Sequence, residues 1–163
     1  MPMTQPANPM PHTDAPFSLE LDLQFGDFPK VARARAVLHP ARVRRWLTLA
    51  LRRPAEITVR VVGTAEGRAL NDQYRGKDYA TNVLTFDYQR TPVVRADLVL
   101  CGPVVAREAS MMDRTLEAYY AHMLVHGALH AQGYDHETNE RDALDMEALE
   151  VLLVQALGYP NPY

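Results

Sequence analysis

The chain has 163 residues, 47% hydrophobic and 23% charged, with a net charge of −3, the proportions of an ordinary globular protein. One cysteine, Cys101, excludes a disulfide framework and fits a reducing cytoplasm, which is the expected location. No apolar run approaches the ~18 residues needed to span a bilayer, so no membrane association is expected.

In chain order, residues 1–16 (MPMTQPANPMPHTDAP) carry five of the twelve prolines and lack the basic start and apolar block of a signal peptide. They are expected to stay disordered, with His12 solvated, ahead of one domain over 17–163. FSLELDLQF (17–25) alternates strictly, with Phe17, Leu19, Leu21, Leu23 and Phe25 on one side, which predicts a half-buried strand. Pro40 opens a helix to Arg53 that places Val43, Trp46, Leu47, Ala50 and Leu51 on one stripe. EITVRVVG (56–63) predicts a second strand, with Thr58 and Arg60 on its polar face. Thr64 caps a helix to about Tyr74, and Gly76 ends it. NVLTFDY (82–88) and DLVLC (97–101) read as two more strands. Helices follow from Pro103 to near Met112, from Thr115 to Gln132, and from Thr138 or Asn139 to Gly158, with Gly133 closing the middle one.

This order predicts an α/β (α+β) fold, a small mixed four-stranded sheet with helices packed on it. The strand-helix-strand opening favours a right-handed parallel pair. The adjacent strands at 82–88 and 97–101 favour an antiparallel one.

Charge is segregated along the chain. Residues 30–95 hold fourteen Lys/Arg against five Asp/Glu, whereas residues 96–163 hold three against eleven. Such a pattern makes either a basic face that attracts a polyanion or solvated helix faces that pair with the acidic half.

HGALHAQGYDH (126–136) carries the chemistry. His126 and His130, four apart on a predicted helix, share one face at about 5–6 Å between Cβ atoms. Gly133 lets the chain turn back, so that His136 can join them on one ion. Three imidazoles leave a fourth position open, as catalytic zinc sites do. His122 extends the ladder, but ideal rise puts it about 12 Å from His130, too far for a shared ion. The set 126/130/136 is therefore preferred, with His122 packed or supporting. Asp135 is either an orienting partner for a ligand or a solvated loop acid. Met146 reads as core, within LDMEALEVLLVQAL. The plain alternative, histidines gathered by chance, is disfavoured because spacing and turn glycine agree.

Zinc peptidases with this spacing keep a general-base glutamate beside the first histidine, where this chain has Gly127. An ion here would have to supply its own nucleophile, by lowering the pKa of bound water to about 7. That suits a phosphodiester better than a peptide.

These residues closely resemble the H-G-x-L-H-x-x-G-Y-D-H signature of the bacterial YbeY family of rRNA-maturation endoribonucleases. LNDQYRGKDYATNVLTF (70–86) resembles that family's L-N-x-x-Y-R-G-K-D-x-P-T-N-V-L-S-F. ADLVLC (96–101) resembles its G-D-I-x-I-C strand, and MEALEVLLVQALGY its last helix. The match covers roughly residues 56–160. Ala80, Thr85 and Ala96 replace the usual proline, serine and glycine.

The resemblance implies a metal-dependent, single-strand-preferring endoribonuclease acting in small-subunit rRNA 3′-end maturation and ribosome quality control. Its partners would be rRNA and the ribosome or ribosomal proteins. It implies one Zn²⁺ per chain on His126, His130 and His136, and an activity-bearing strand arginine at Arg60. Arg60 and His126 are thus the residues expected to carry catalysis. A guanidinium can hold a phosphate by two hydrogen bonds; the alternative for Arg60 is a surface ion pair. Arg75 and Lys77 are expected to touch the RNA backbone or to complement the helix end. Tyr74 and Tyr79 can stack on unpaired bases or pack. Nickel, copper and iron also suit three imidazoles. Two other readings stand beside this one: a metallohydrolase of another ester or amide, and a ribosome-associated factor whose zinc is structural.

Overall fold

The structure, a computed structural model, describes residues 18–134 and 139–163. The proline-rich tail with His12, and the expectations placed on Asp135, His136 and Thr138, lie outside the described residues. The elements run β1 (Leu19–Phe25), α1 (Val31–Val37), α2 (Pro40–Ala50), β2 (Ala55–Val62), α3 (Thr64–Arg75), β3 (Val83–Gln89), β4 (Val94–Cys101), α4 (Gly102–Met111), α5 (Leu116–Ala131) and α6 (Glu140–Ala156).

The mixed four-stranded sheet has the order β1-β2-β4-β3. β1 and β2 are parallel, as the intervening helices require, and β2 is also parallel to β4. β3 and β4, joined by a short loop, are antiparallel. Side-chain alternation gives the sheet two distinct faces. Leu19, Leu21, Leu23 and Phe25 of β1 and Ile57, Val59 and Val61 of β2 pack into the main core with Trp46 and Leu47 of α2 and most of α5. Val62, Leu84 and Val99 form a smaller cluster on the opposite face, closed by Leu70 of α3 and Phe86.

α5 is the central element. Eleven of its sixteen residues are buried, because α2, α4, α6 and the sheet surround it. Thr115 caps it by accepting from the Ala118 N–H at 3.1 Å. Gly133 then takes φ +107°, the left-handed turn that the sequence predicts.

Two local expectations are corrected, one pair of alternatives is resolved and one helix was not foreseen. α1 was not legible: it has seven residues and buries Ala34 alone, too little to show a period. α2 ends at Ala50 rather than Arg53, since Leu51 leaves in extended backbone. Thr64 is the first residue of α3 and Gly63 the cap position, where a Cβ would meet the Phe28 Cβ at 2.9 Å. Asn139, not Thr138, caps α6, by accepting from the Asp142 N–H at 2.8 Å.

A candidate metal centre at the end of the central helix

His126 and His130 face the same way from α5, half-buried, with ring centroids 6.4 Å apart. Each Nδ1 is already engaged. His126 Nδ1 lies 2.8 Å from Oε2 of Glu150 on α6. His130 Nδ1 lies 2.9 Å from the Tyr134 carbonyl, which the Gly133 turn folds back over the helix end. A carbonyl and a carboxylate only accept, so both Nδ1 atoms carry their protons. In the neutral rings Nε2 is then the atom that can ligate. This is the tautomer and anchoring that histidine metal ligands show, and the residues present fit a divalent ion such as zinc.

Glu150 was not picked out from the sequence, and it organises the site. It is 1% exposed. Its Oε1 accepts from His122 Nε2 at 2.6 Å and from the Tyr163 hydroxyl at 2.5 Å, while Oε2 takes His126. Burial pushes its pKa up, but the hydrogen bonds from His122, His126 and Tyr163 outweigh that and hold it at about 2. The available signal was a charged residue in a buried stripe: Met146, Glu150 and Val154, at i, i+4 and i+8, are the buried residues of α6. Met146 is core, as expected. His122 is turned to Glu150 rather than to the His126–His130 pair, and its buried Nδ1 has no partner among the described residues. His136 lies outside the described residues, so two of the three expected ligands are placed.

Gly127 explains the missing glutamate. It faces the sheet, where an added Cβ would lie 3.1 Å from Leu98 Cδ2 and 3.5 Å from Thr85 Oγ1. A peptidase-type base has no room there. Gly127→Glu is expected to lose at least about 2 kcal/mol in urea unfolding, from overpacking and a buried unpaired carboxyl. Unchanged stability would show that α5 does not seat on β4 through this glycine.

Arg60 does not join the histidines. Its register partner is Val99, and it shares the sheet face of Val62, Val99 and α3, whereas α5 lies on the face of Val59 and Leu98. Its guanidinium bonds both oxygens of Glu66 at 2.7 and 2.9 Å. The hydrogen bond from Arg60 in turn lowers the Glu66 pKa. Arg75 and Lys77 are exposed where α3 gives way to the loop 76–82. That loop is tied down by the bidentate Arg68–Asp78 pair and by Asn71, fully buried, whose amide donates to the Tyr79 carbonyl at 2.7 Å. Tyr74 and Tyr79 are exposed, Tyr74 edge-on to Phe86 at 5.0 Å.

Among the described residues, the ion pairs of the basic segment fall mostly within that segment. Four of the five acids of residues 30–95, Glu56, Glu66, Asp78 and Asp87, pair with arginines of that same segment. Among the described residues one ion pair, Arg42–Glu117, reaches the acidic half. No described helix is long and apolar enough to cross a membrane.

A mixed-sheet α/β domain whose buried central helix ends in two anchored imidazoles defines a narrow class of protein. The family model described as Endoribonuclease YbeY matches residues 34–158, and the chain belongs to that family. A Polaromonas protein named Endoribonuclease YbeY is 68% identical over 145 residues, covering 89% of this chain and 94% of that one. A protein of the same name from Methylibium petroleiphilum is 58% identical over 161 residues, covering 99% of both. The solution structure of TM1509 from Thermotoga maritima superposes with a TM-score of 0.59 at 23% identity, covering 84% of this chain and 88% of that one, and it shares the fold.

Proposed function

We propose that this chain is a zinc-dependent endoribonuclease that cuts single-stranded RNA in the maturation of the small-subunit rRNA 3′ end and in ribosome quality control, in the cytoplasm. The observation that carries the reading is the pair of imidazoles on α5, each with Nδ1 held on an acceptor, an anchoring that suits Nε2 to ligate an ion. His136, just past the Gly133 turn, is proposed as the third ligand, giving one ion per chain. Bound there, zinc supplies the Lewis acid that phosphodiester cleavage needs. The chain's part is to fix the ligand tautomers through Glu150 and the Tyr134 carbonyl. The endoribonuclease names of the relatives and the cationic surplus of residues 30–95 support an RNA substrate.

Arg60 enters this reading as a phosphate-binding side chain on the strand's path. It would exchange the Glu66 carboxylate for an RNA phosphate, with Arg75 and Lys77 holding further backbone. Gly127 seated on the sheet weighs against peptide hydrolysis.

The test is metal content and cleavage together. Protein purified without added metal is expected to carry about one zinc per chain, with three imidazoles plus one open position as the ligand set. The wild type should cut a single-stranded oligoribonucleotide and leave a duplex intact. His136→Ala should lose both metal and cleavage. Metal retained in that variant would sink the ligand set, and cleavage without metal would sink the zinc dependence.

A further inference from the structure

Tyr163 has a feature that the nuclease reading does not use. Tyr163 is 59% exposed, yet its hydroxyl reaches inward to Glu150, at 1% exposure the most buried carboxylate among the described residues. A tyrosine at the surface can satisfy its hydroxyl with water, so directing it inward requires the chain to hold it there.

The segment after α6 does hold it. The Tyr159 N–H donates to the Val154 carbonyl at 3.2 Å, and the Tyr159 hydroxyl donates to Glu117 on α5. The Tyr159 ring meets Trp46 edge-on at 6.0 Å. Arg114, just before α5, donates to the Asn161 carbonyl at 3.1 Å, and Asn161 Oδ1 accepts the Tyr163 N–H at 2.9 Å. Pro162 is buried. Together these contacts lay the segment along α5 and bring the Tyr163 ring to 5.3 Å from His122, edge to face.

We propose that Tyr163 is a positioning residue of the metal centre, whose hydroxyl locks Glu150 and through it the ring of His126. The inference rests on the proposed zinc site. Glu150 takes three donors, His122 and Tyr163 on Oε1 and His126 on Oε2. With all three in place the carboxylate cannot rotate or slide without breaking one, so the direction in which His126 presents Nε2 is set from α6 and from Tyr163 rather than from α5. Without the hydroxyl, Oε1 keeps His122 and Oε2 keeps His126, and the carboxylate loses the third contact that holds it against shifting between the two rings. The Tyr163 ring also meets His122 edge-on, so ring and hydroxyl make separable contributions.

The experiment compares the 163-residue wild-type chain with Tyr163→Phe and Tyr163→Ala. Zinc affinity is measured by chelator competition, and the visible spectrum of the cobalt(II)-substituted proteins is recorded. Tyr163→Phe keeps the ring and removes only the hydroxyl. It is expected to bind zinc about tenfold more weakly, the low end of the loss seen for outer partners of metal ligands. Its cobalt bands should shift, while the metal-free variant stays folded with a melting midpoint only modestly below the wild type's. Tyr163→Phe binding zinc as the wild type does, with an unchanged cobalt spectrum, would overturn the proposal. So would a loss confined to Tyr163→Ala, which would assign the effect to the ring. A wild type that binds no zinc would bring down the zinc reading, and this inference with it.

Discussion

Glu150→Ala is expected to cost about 3–5 kcal/mol of folding stability, the loss typical of removing one partner from a buried charged network. Three donors, His122 Nε2, His126 Nδ1 and the Tyr163 hydroxyl, converge on this carboxylate at 2.5–2.8 Å. Removing it strands above all the His122 N–H where water is excluded, since Glu150 is 1% exposed and His122 is 7% exposed. For a domain of this size each kilocalorie moves the melting midpoint by roughly 2–4 °C, so a fall of about 10 °C is expected in thermal unfolding. Glu150→Gln keeps the shape, but an amide has one acceptor oxygen and one donor group. Either orientation points an amide N–H at a ring N–H, that of His122 or that of His126, so it too should destabilise, by less. A loss below about 1 kcal/mol for Glu150→Ala would mean that the three donors find other partners, and the network would not be what holds α6 on α5.

Zinc is expected to raise the stability of the wild type by about 4 kcal/mol when its free concentration is a thousand times the dissociation constant, by mass action alone. That corresponds to roughly 10 °C in the melting midpoint. His130→Ala, which deletes a ligand whose Nδ1 bonds the Tyr134 carbonyl, should abolish the zinc-dependent rise and lower RNA cleavage by more than the 10- to 100-fold that outer partners of a metal typically cost, roughly. RNA binding should persist in this variant, because the cationic segment 30–95 is untouched. The metal-free protein should stay folded, since the core around α5 is built from apolar contacts rather than from the histidines. If chelation instead melts the wild type completely, zinc is a structural element and the endonuclease role must be carried elsewhere.

Local pattern determined a good deal of this molecule by itself. Strict alternation in β1 and β2 identified the residues that line the main core, because a strand turns successive side chains to opposite faces. Connection length decided that β1 and β2 are parallel and that β3 and β4 are antiparallel. The four-residue spacing put His126 and His130 on one face of α5, and the glycine at 133 adopted the left-handed turn that its position predicts. The family followed from the same short motifs.

What the pattern left open were relations between elements far apart in the chain. Glu150 meets His126 from 24 residues away and His122 from 28, and nothing in α6 alone says which helix its one buried acid will face. Arg60 was legible as a polar-face residue of β2, but which sheet face carries α5 and which carries α3 is settled by packing, and that separates it from the histidines. Gly127 read as a missing base; only the approach of Leu98 shows it to be the point where α5 seats on the sheet. Periodicity encodes which side of an element is buried. Which buried sides meet is decided by shape and by the need to satisfy every buried donor, and only the tertiary structure supplies both.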